Sequence, residues 1–141
     1  MAAIDLGARR IGLAVSDGSG RLASPRATLE RSGDPAADRA AVVAAVLEAE
    51  AVRLVVGLPL SLDGRRRRAA VAAEQEAAAL GRALEPHGVA VETSDERLTT
   101  VSAERALTAA GMGGRARRRV VDQSAAAVLL QAWLDARRPA P

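Results

Sequence analysis

The sequence predicts an α/β fold, a mixed sheet that opens as a three-strand meander and continues in parallel strands, with helices on both faces. Three observations predict it. Turn clusters at Gly7 to Arg10 and Ser16 to Gly20 divide the opening segment into short apolar runs. Two later runs, Val52 to Leu58 and Val89 to Thr93, are separated by segments of helical period, and strands joined by helical crossovers run parallel. Hydrophobic residues make up 49% of the chain but aromatic ones only 1%, so the layers pack on an aliphatic core.

Each element has a local reason. Ala2 to Leu6 and Ile11 to Val15 are apolar runs flanking turn chemistry, which makes a hairpin. Arg21 to Leu29 is a third, more polar strand, and Pro25 within it argues for an edge position or a bulge. Asp34 caps a helix with Pro35 in its first turn, and Val42, Val43, Val46 and Leu47 keep helical spacing through Ala36 to Ala49. Val52 to Leu58 is an unbroken apolar run ended by Pro59, as a strand buried on both faces requires.

After a loop at Leu60 to Gly64, Arg65 to Leu84 reads as a long helix stopped by Glu85-Pro86-His87-Gly88. Val89 to Thr93 alternates as a strand, Val101 to Ala110 is helical, Gly111 to Gly114 is a flexible break, and Val120 to Ala136 is the terminal helix. At 141 residues the chain suits one domain, residues 1–138, with a frayed tail at 139–141.

Composition narrows the chemistry. There is no Cys and a single His, which excludes disulfides, thiol catalysis, zinc fingers and His-rich metal sites. A bound metal would take oxygen ligands. All 20 basic residues are Arg, giving a net charge of +3, and Arg pairs bidentately with oxyanions, so a polyanionic partner is favoured. A GC-rich genome is the better explanation of the missing Lys, so the placement of the Arg carries more weight than their number. Neither a membrane span nor a signal-peptide pattern is visible, so a cytoplasmic location with no membrane partner is expected.

Asp5 stands inside the apolar run Ala2 to Gly7, where burying a carboxylate is costly unless a cation or a dedicated partner meets it. Glu96 follows the strand at Val89 to Thr93, and Asp122 shares a helical stripe with Ala125, Ala126, Leu129 and Trp133. Three inward acids from three elements would repel one another without cations, and such a set suits two metals, one activating water and one stabilising the leaving oxygen. Taken singly, Asp122 also reads as a first-turn acid favoured by the helix dipole, and Glu96 as the partner of Arg97. For Asp5 the structural explanation is weakest.

The motifs have a family likeness. Ile4-Asp5-Leu6-Gly7-Ala8-Arg9-Arg10-Ile11-Gly12-Leu13-Ala14-Val15-Ser16-Asp17 resembles the opening of the YqgF family of RNase H-like nucleases. Val55 to Leu60 with Asp63-Gly64, Asp95 to Thr100 with Ala103-Glu104, and Val121-Asp122 ahead of Ala125-Ala126 resemble its later motifs, in order and at compatible spacing. The resemblance implies an RNase H-like fold and magnesium- or manganese-dependent hydrolysis of phosphodiester bonds, with Asp5, Glu96 and Asp122 as the acidic triad. It implies a pre-rRNA substrate first, in 5′-end processing of pre-16S rRNA during ribosome biogenesis. Holliday-junction resolution on branched DNA is the alternative, and a non-catalytic nucleic-acid-binding module is the rival from another class. Asp5-Leu6-Gly7 with Gly12 also resembles the phosphate turn of actin-like ATPases, but those need two such domains closing on ATP.

Several residues have supporting roles. Arg9, Arg10 and Arg97 lie beside the acids and are expected to reach backbone phosphates, with orienting the carboxylates as the alternative for Arg10 or Arg97. Arg115, Arg117, Arg118 and Arg119 form a basic loop ahead of the last helix, a candidate phosphate clamp, and Arg65 to Arg68 is a weaker one. Asp17 reads as a turn residue, with a metal or substrate role as the alternative, and Asp95 adjoins Glu96. His87 reads as an exposed loop residue, and Trp133 as core rather than a base-stacking platform. A resolvase needs two active sites and hence a homodimer, whereas a processing nuclease can act alone, so monomer and homodimer both stay open.

Overall fold

A tight turn starts the sheet. In the computed structural model, which describes the backbone of residues 1–59, 64–95 and 114–137 and their side chains except at 64–66 and 114–124, β1 (Ala2–Leu6) folds back onto β2 (Arg10–Ser16). The Gly7 amide donates to the Arg10 carbonyl at 2.9 Å, and a β-carbon at Gly7 would stand 2.7 Å from that oxygen. Only glycine fits there.

β3 (Ala23–Glu30) pairs antiparallel with β2 at the edge, and the register slips between Leu13 and Ala14, opposite Ala27 and Pro25. Pro25 was expected to need an edge or a bulge, and it has both. α1 (Pro35–Glu48) starts at its predicted cap, where the Asp34 side chain accepts from the Ala36 amide at 3.1 Å. β4 (Arg53–Leu58) is buried from Leu54 onward and runs parallel to β1. α2 (Gly64–Leu84) ends in a 3-10 turn at Glu85–His87, with Gly88 in the left-handed region at φ 73°. β5 (Ala90–Asp95) then lies parallel to β4.

The last described element is α3 (Gly114–Ala136). Here the sequence reading is corrected, because Arg115, Arg117, Arg118 and Arg119 were expected in a loop and instead lie in the first turns of the helix. Arg and Ala are among the best helix formers, and the glycines before them end at the helix start. Asp122 is therefore two turns into α3 rather than in its first turn, which removes the helix-dipole explanation for it. The expected helix at Val101 to Ala110, the loop at 60–63 and the tail at 139–141 lie outside the described residues.

The sheet order is β3-β2-β1-β4-β5, so β1 is central. Alternation along β1 divides two cores. Ile4 faces Leu13, Val42, Val46, Leu54, Val56, Leu80 and Leu84 on the side of α1 and α2. Ala3 faces Ala14, Val55, Ala126, Leu129, Leu130 and Trp133 on the side of α3. Among the described residues no helix is long and apolar enough to cross a membrane.

Polar clamps hold α3 to the sheet. The Gln131 side chain accepts from the Ala23 amide and donates to the Arg21 carbonyl, both at 2.9 Å. Farther along, the Trp133 ring N–H donates to Glu92, which also receives Arg53 at 2.6 Å and Arg137 at 2.8 Å. The Arg137 guanidinium lies over the Trp133 ring, 3.7 Å from its centre. Sequence reading placed Trp133 in the core, which holds at 8% exposure, but missed its polar end.

Burial pushes the Glu92 carboxyl up, yet the bonds from Trp133 and Arg53 and the charges of both arginines outweigh it and hold the group below its ordinary value. A carboxyl depressed by folding contributes stability above its unfolded pKa of about 4.3, and that contribution disappears as pH falls through the lower folded value. Acid unfolding between neutral pH and about pH 3 should therefore be shallower in Glu92→Gln than in the parent chain, as urea titrations at each pH would show. Equal pH slopes would contradict the assignment.

Candidate active site

Strand direction decides which side chains can meet. β1, β4 and β5 run parallel, and β3 runs with them, so Leu6, Glu30, Leu58 and Asp95 all end at one edge of the sheet. The turn from Gly7 to Arg10 and the start of α1 lie at this edge too. In open α/β sheets this carboxyl edge is where binding sites form.

Asp5 is the next-to-last residue of β1 and is half-buried. Its cross-strand partner is Gly12, and a β-carbon on Gly12 would touch the Ala126 side chain of α3 at 3.7 Å. The carboxylate thus belongs to the α3 face, next to a position kept free of any side chain. Among the described residues no hydrogen bond or ion pair reaches it. A half-buried carboxylate without a protein donor keeps its oxygens open to water or to a cation.

The other two predicted acids are seen only through their backbone surroundings. Glu96 lies outside the described residues, but β5 stops at Asp95 on the Asp5 edge, with Asp95 in register with Leu58. Asp122 lies one helical turn before Ala126, the residue that meets Gly12. α3 runs antiparallel to β1, since Ala126 is level with Gly12 while Gln131 binds Ala23 near the opposite edge. The Asp122 position therefore lies toward the Asp5 edge. Among the described side chains no three acids gather into a metal-binding group.

The basic residues divide the same way. Arg9, Arg10 and the unanticipated Arg31 are exposed and line a cleft of about 610 Å³ at the Asp5 edge. Arg67 and Arg68 are exposed on α2, as a solvated helix start would have them. Arg97 lies outside the described residues, and of the Arg115 to Arg119 run only the helical backbone is described. Asp17 is at the opposite edge, where Ser19 donates to it at 2.9 Å and the Arg21 and Leu22 amides at 2.9 and 3.3 Å. Those bonds, the Arg21 amide first, hold its carboxyl below the usual range. Asp17 closes its own turn and has no part in the Asp5 site. His87 is exposed in the 3-10 turn, as expected.

A family profile described as "RuvX: Holliday junction resolvase" matches residues 1–136. The chain belongs to the RuvX family. This is the YqgF family that the opening motif resembles. Relatives match over nearly all of this chain and over about three quarters of their own length. A protein of Rhodococcus erythropolis named "Putative pre-16S rRNA nuclease" is 48% identical over 138 residues, covering 96% of this chain and 77% of the relative. One from Mycobacterium sp. (strain KMS) with the same name is 48% identical over 139 residues, covering 97% and 80%. Among solved structures, RuvC of T. thermophilus in complex with a Holliday junction substrate aligns over 97% of this chain and 95% of that one. The TM-score is 0.56 at 17% identity, a likeness of fold, and it places the RuvX sheet and helices in the RNase H-like class.

Proposed function

We propose that this chain is a metal-dependent endonuclease that hydrolyses phosphodiester bonds, in 5′-end processing of pre-16S rRNA. The observation that carries the reading is Asp5, half-buried on the central strand, facing α3, with no partner among the described residues. Family membership and the names of the relatives support the nuclease class. The donor chemistry suits magnesium or manganese, since a chain without Cys and with one exposed His offers carboxylate oxygens.

Asp5, Glu96 and Asp122 would hold the cations. When bound, they supply charge for the phosphoryl oxygens and make water a better nucleophile. The protein's own part is to fix the carboxylates before substrate arrives. Asp5 is held by ladder bonds on a central strand, and the Asp122 position is held by a helix clamped at Gln131 and Trp133. Arg9 and Arg10 stand at the same edge, where backbone phosphates approach, and Arg97 and the first turns of α3 are assigned to the same task.

Resolution of four-way DNA junctions is the second reading, favoured by the family's description. Matched substrates separate the two: a precursor rRNA segment and a DNA four-way junction, each with magnesium or manganese. The expected result is cleavage of the rRNA segment at a defined position by a monomer. Paired symmetric nicks in the junction by a dimer, with the RNA untouched, would overturn the first reading in favour of the second.

A further inference from the structure

Arg31 is tied down by one nitrogen and open at the other two. Its Nε donates to the Gly7 carbonyl at 2.7 Å and its backbone amide to the Arg9 carbonyl at 2.9 Å. Among the described residues no acceptor bonds its two terminal amino groups. The guanidinium is therefore oriented in advance, with most of its fork left for a ligand, and an Arg fork matches phosphate geometry.

Its surroundings form a track. The 610 Å³ cleft beside Arg9 and Arg10 and a second hollow of about 370 Å³ beside α2 share two lining residues, Ala8 and Arg31. The floor of the second hollow is Ala69, Ala72 and Ala73, small enough for a polymer backbone to come close. Two of the acids along this path are already engaged. Arg39 takes Glu76 through two bonds of 2.8 and 2.9 Å, and Asp38 accepts from the Ser32 amide and hydroxyl at 2.9 and 2.7 Å. Arg9, Arg10 and Arg31 then face Glu30 and the charge of Asp38, which also attracts Arg31, so the net charge of the lining stays positive.

Both hollows open at the Asp5 edge, on the α1 and α2 side of the sheet, whereas Asp5 faces α3. A strand leaving the acids across that edge would pass directly over the turn at Gly7 to Arg10. We propose that this double hollow is a phosphate track for the single-stranded segment flanking the cleaved bond, with Arg31 as its central contact and Arg10 as an accessory. The inference rests on the nuclease reading for the direction of the strand, but not for the existence of the track.

The test reads binding rather than cleavage. Asp5→Asn protein is titrated with labelled precursor RNA duplexes that are blunt or carry about eight unpaired nucleotides on the 5′ or the 3′ side. One extension should tighten binding, and Arg31→Ala should remove about a tenfold gain for that extension while lowering its salt slope by about 0.7. Arg31→Lys should restore the slope but not the full gain. Arg10→Ala, which braces nothing among the described residues, should lose part of the gain and guards against a misfolded Arg31 variant. Neither extension helping the parent, or Arg31→Ala weakening blunt and extended RNA alike, would overturn the track and leave Arg31 a brace for the turn. A parent chain that binds extensions through Arg31 yet cuts nothing would support the track and sink the nuclease reading.

Discussion

Asp5→Asn should abolish cleavage, with a loss on the order of 10³-fold or more in single-turnover rate, while nucleic-acid affinity stays within a few-fold. The carboxamide has nearly the same shape but no charge, so it can neither hold a cation nor offset one. Stability provides an independent check. Asp5 is half-buried and has no hydrogen-bond or ion-pair partner among the described residues, so a neutral replacement of the same shape removes no such contact and should melt at the same temperature. A purely structural acid would behave in the opposite way, since removing it would unfold the chain. Unchanged cleavage in a well-folded Asp5→Asn protein leaves the binding-module reading standing in place of the nuclease.

Trp133→Ala should cause the largest loss of stability, about 3–5 kcal/mol. At 8% exposure the ring fills the core between α3 and the sheet, and its N–H satisfies Glu92 together with Arg53 and Arg137. Removal leaves a void and a carboxylate short of one donor. A fall of about 10–20 °C in melting temperature follows for a domain of this size. Trp133→Phe separates the two contributions, because it keeps most of the ring and loses only the donor, for about 1–2 kcal/mol. In a double-mutant cycle with Glu92→Gln that smaller loss should mostly vanish, whereas additive losses would show that the hydrogen bond contributes nothing.

Local chemistry made most of the scaffold legible. Asp34-Pro35 marked the start of α1, Gly88 the exit from α2, and Pro25 the bulged edge strand, because proline has few conformations, an Asp side chain caps a helix start, and glycine readily takes the left-handed one. The start of α3 was misread because glycines suggested a break, and helix propensity over Arg115 to Arg119 prevailed. At the site, Asp5 stood out because a carboxylate in an apolar strand has no inexpensive structural explanation. Asp17 did not declare its role, since a turn acid and a ligand look alike until strand direction puts it at the far edge. Arg31 and the Glu92 clamp were invisible, because their partners lie 24 and 41 residues away in the chain and no spacing rule joins them.

The first described element of the chain occupies the middle of the sheet, and α3, which covers its Asp5 face, is the last. The Ala3, Ala14 and Val55 surface therefore stays uncovered until α3 docks, and contacts of such long range form slowly. If Asp122 belongs to the catalytic set, an unfinished polypeptide has no working centre. Closure of the second core and completion of the site are then a single folding event.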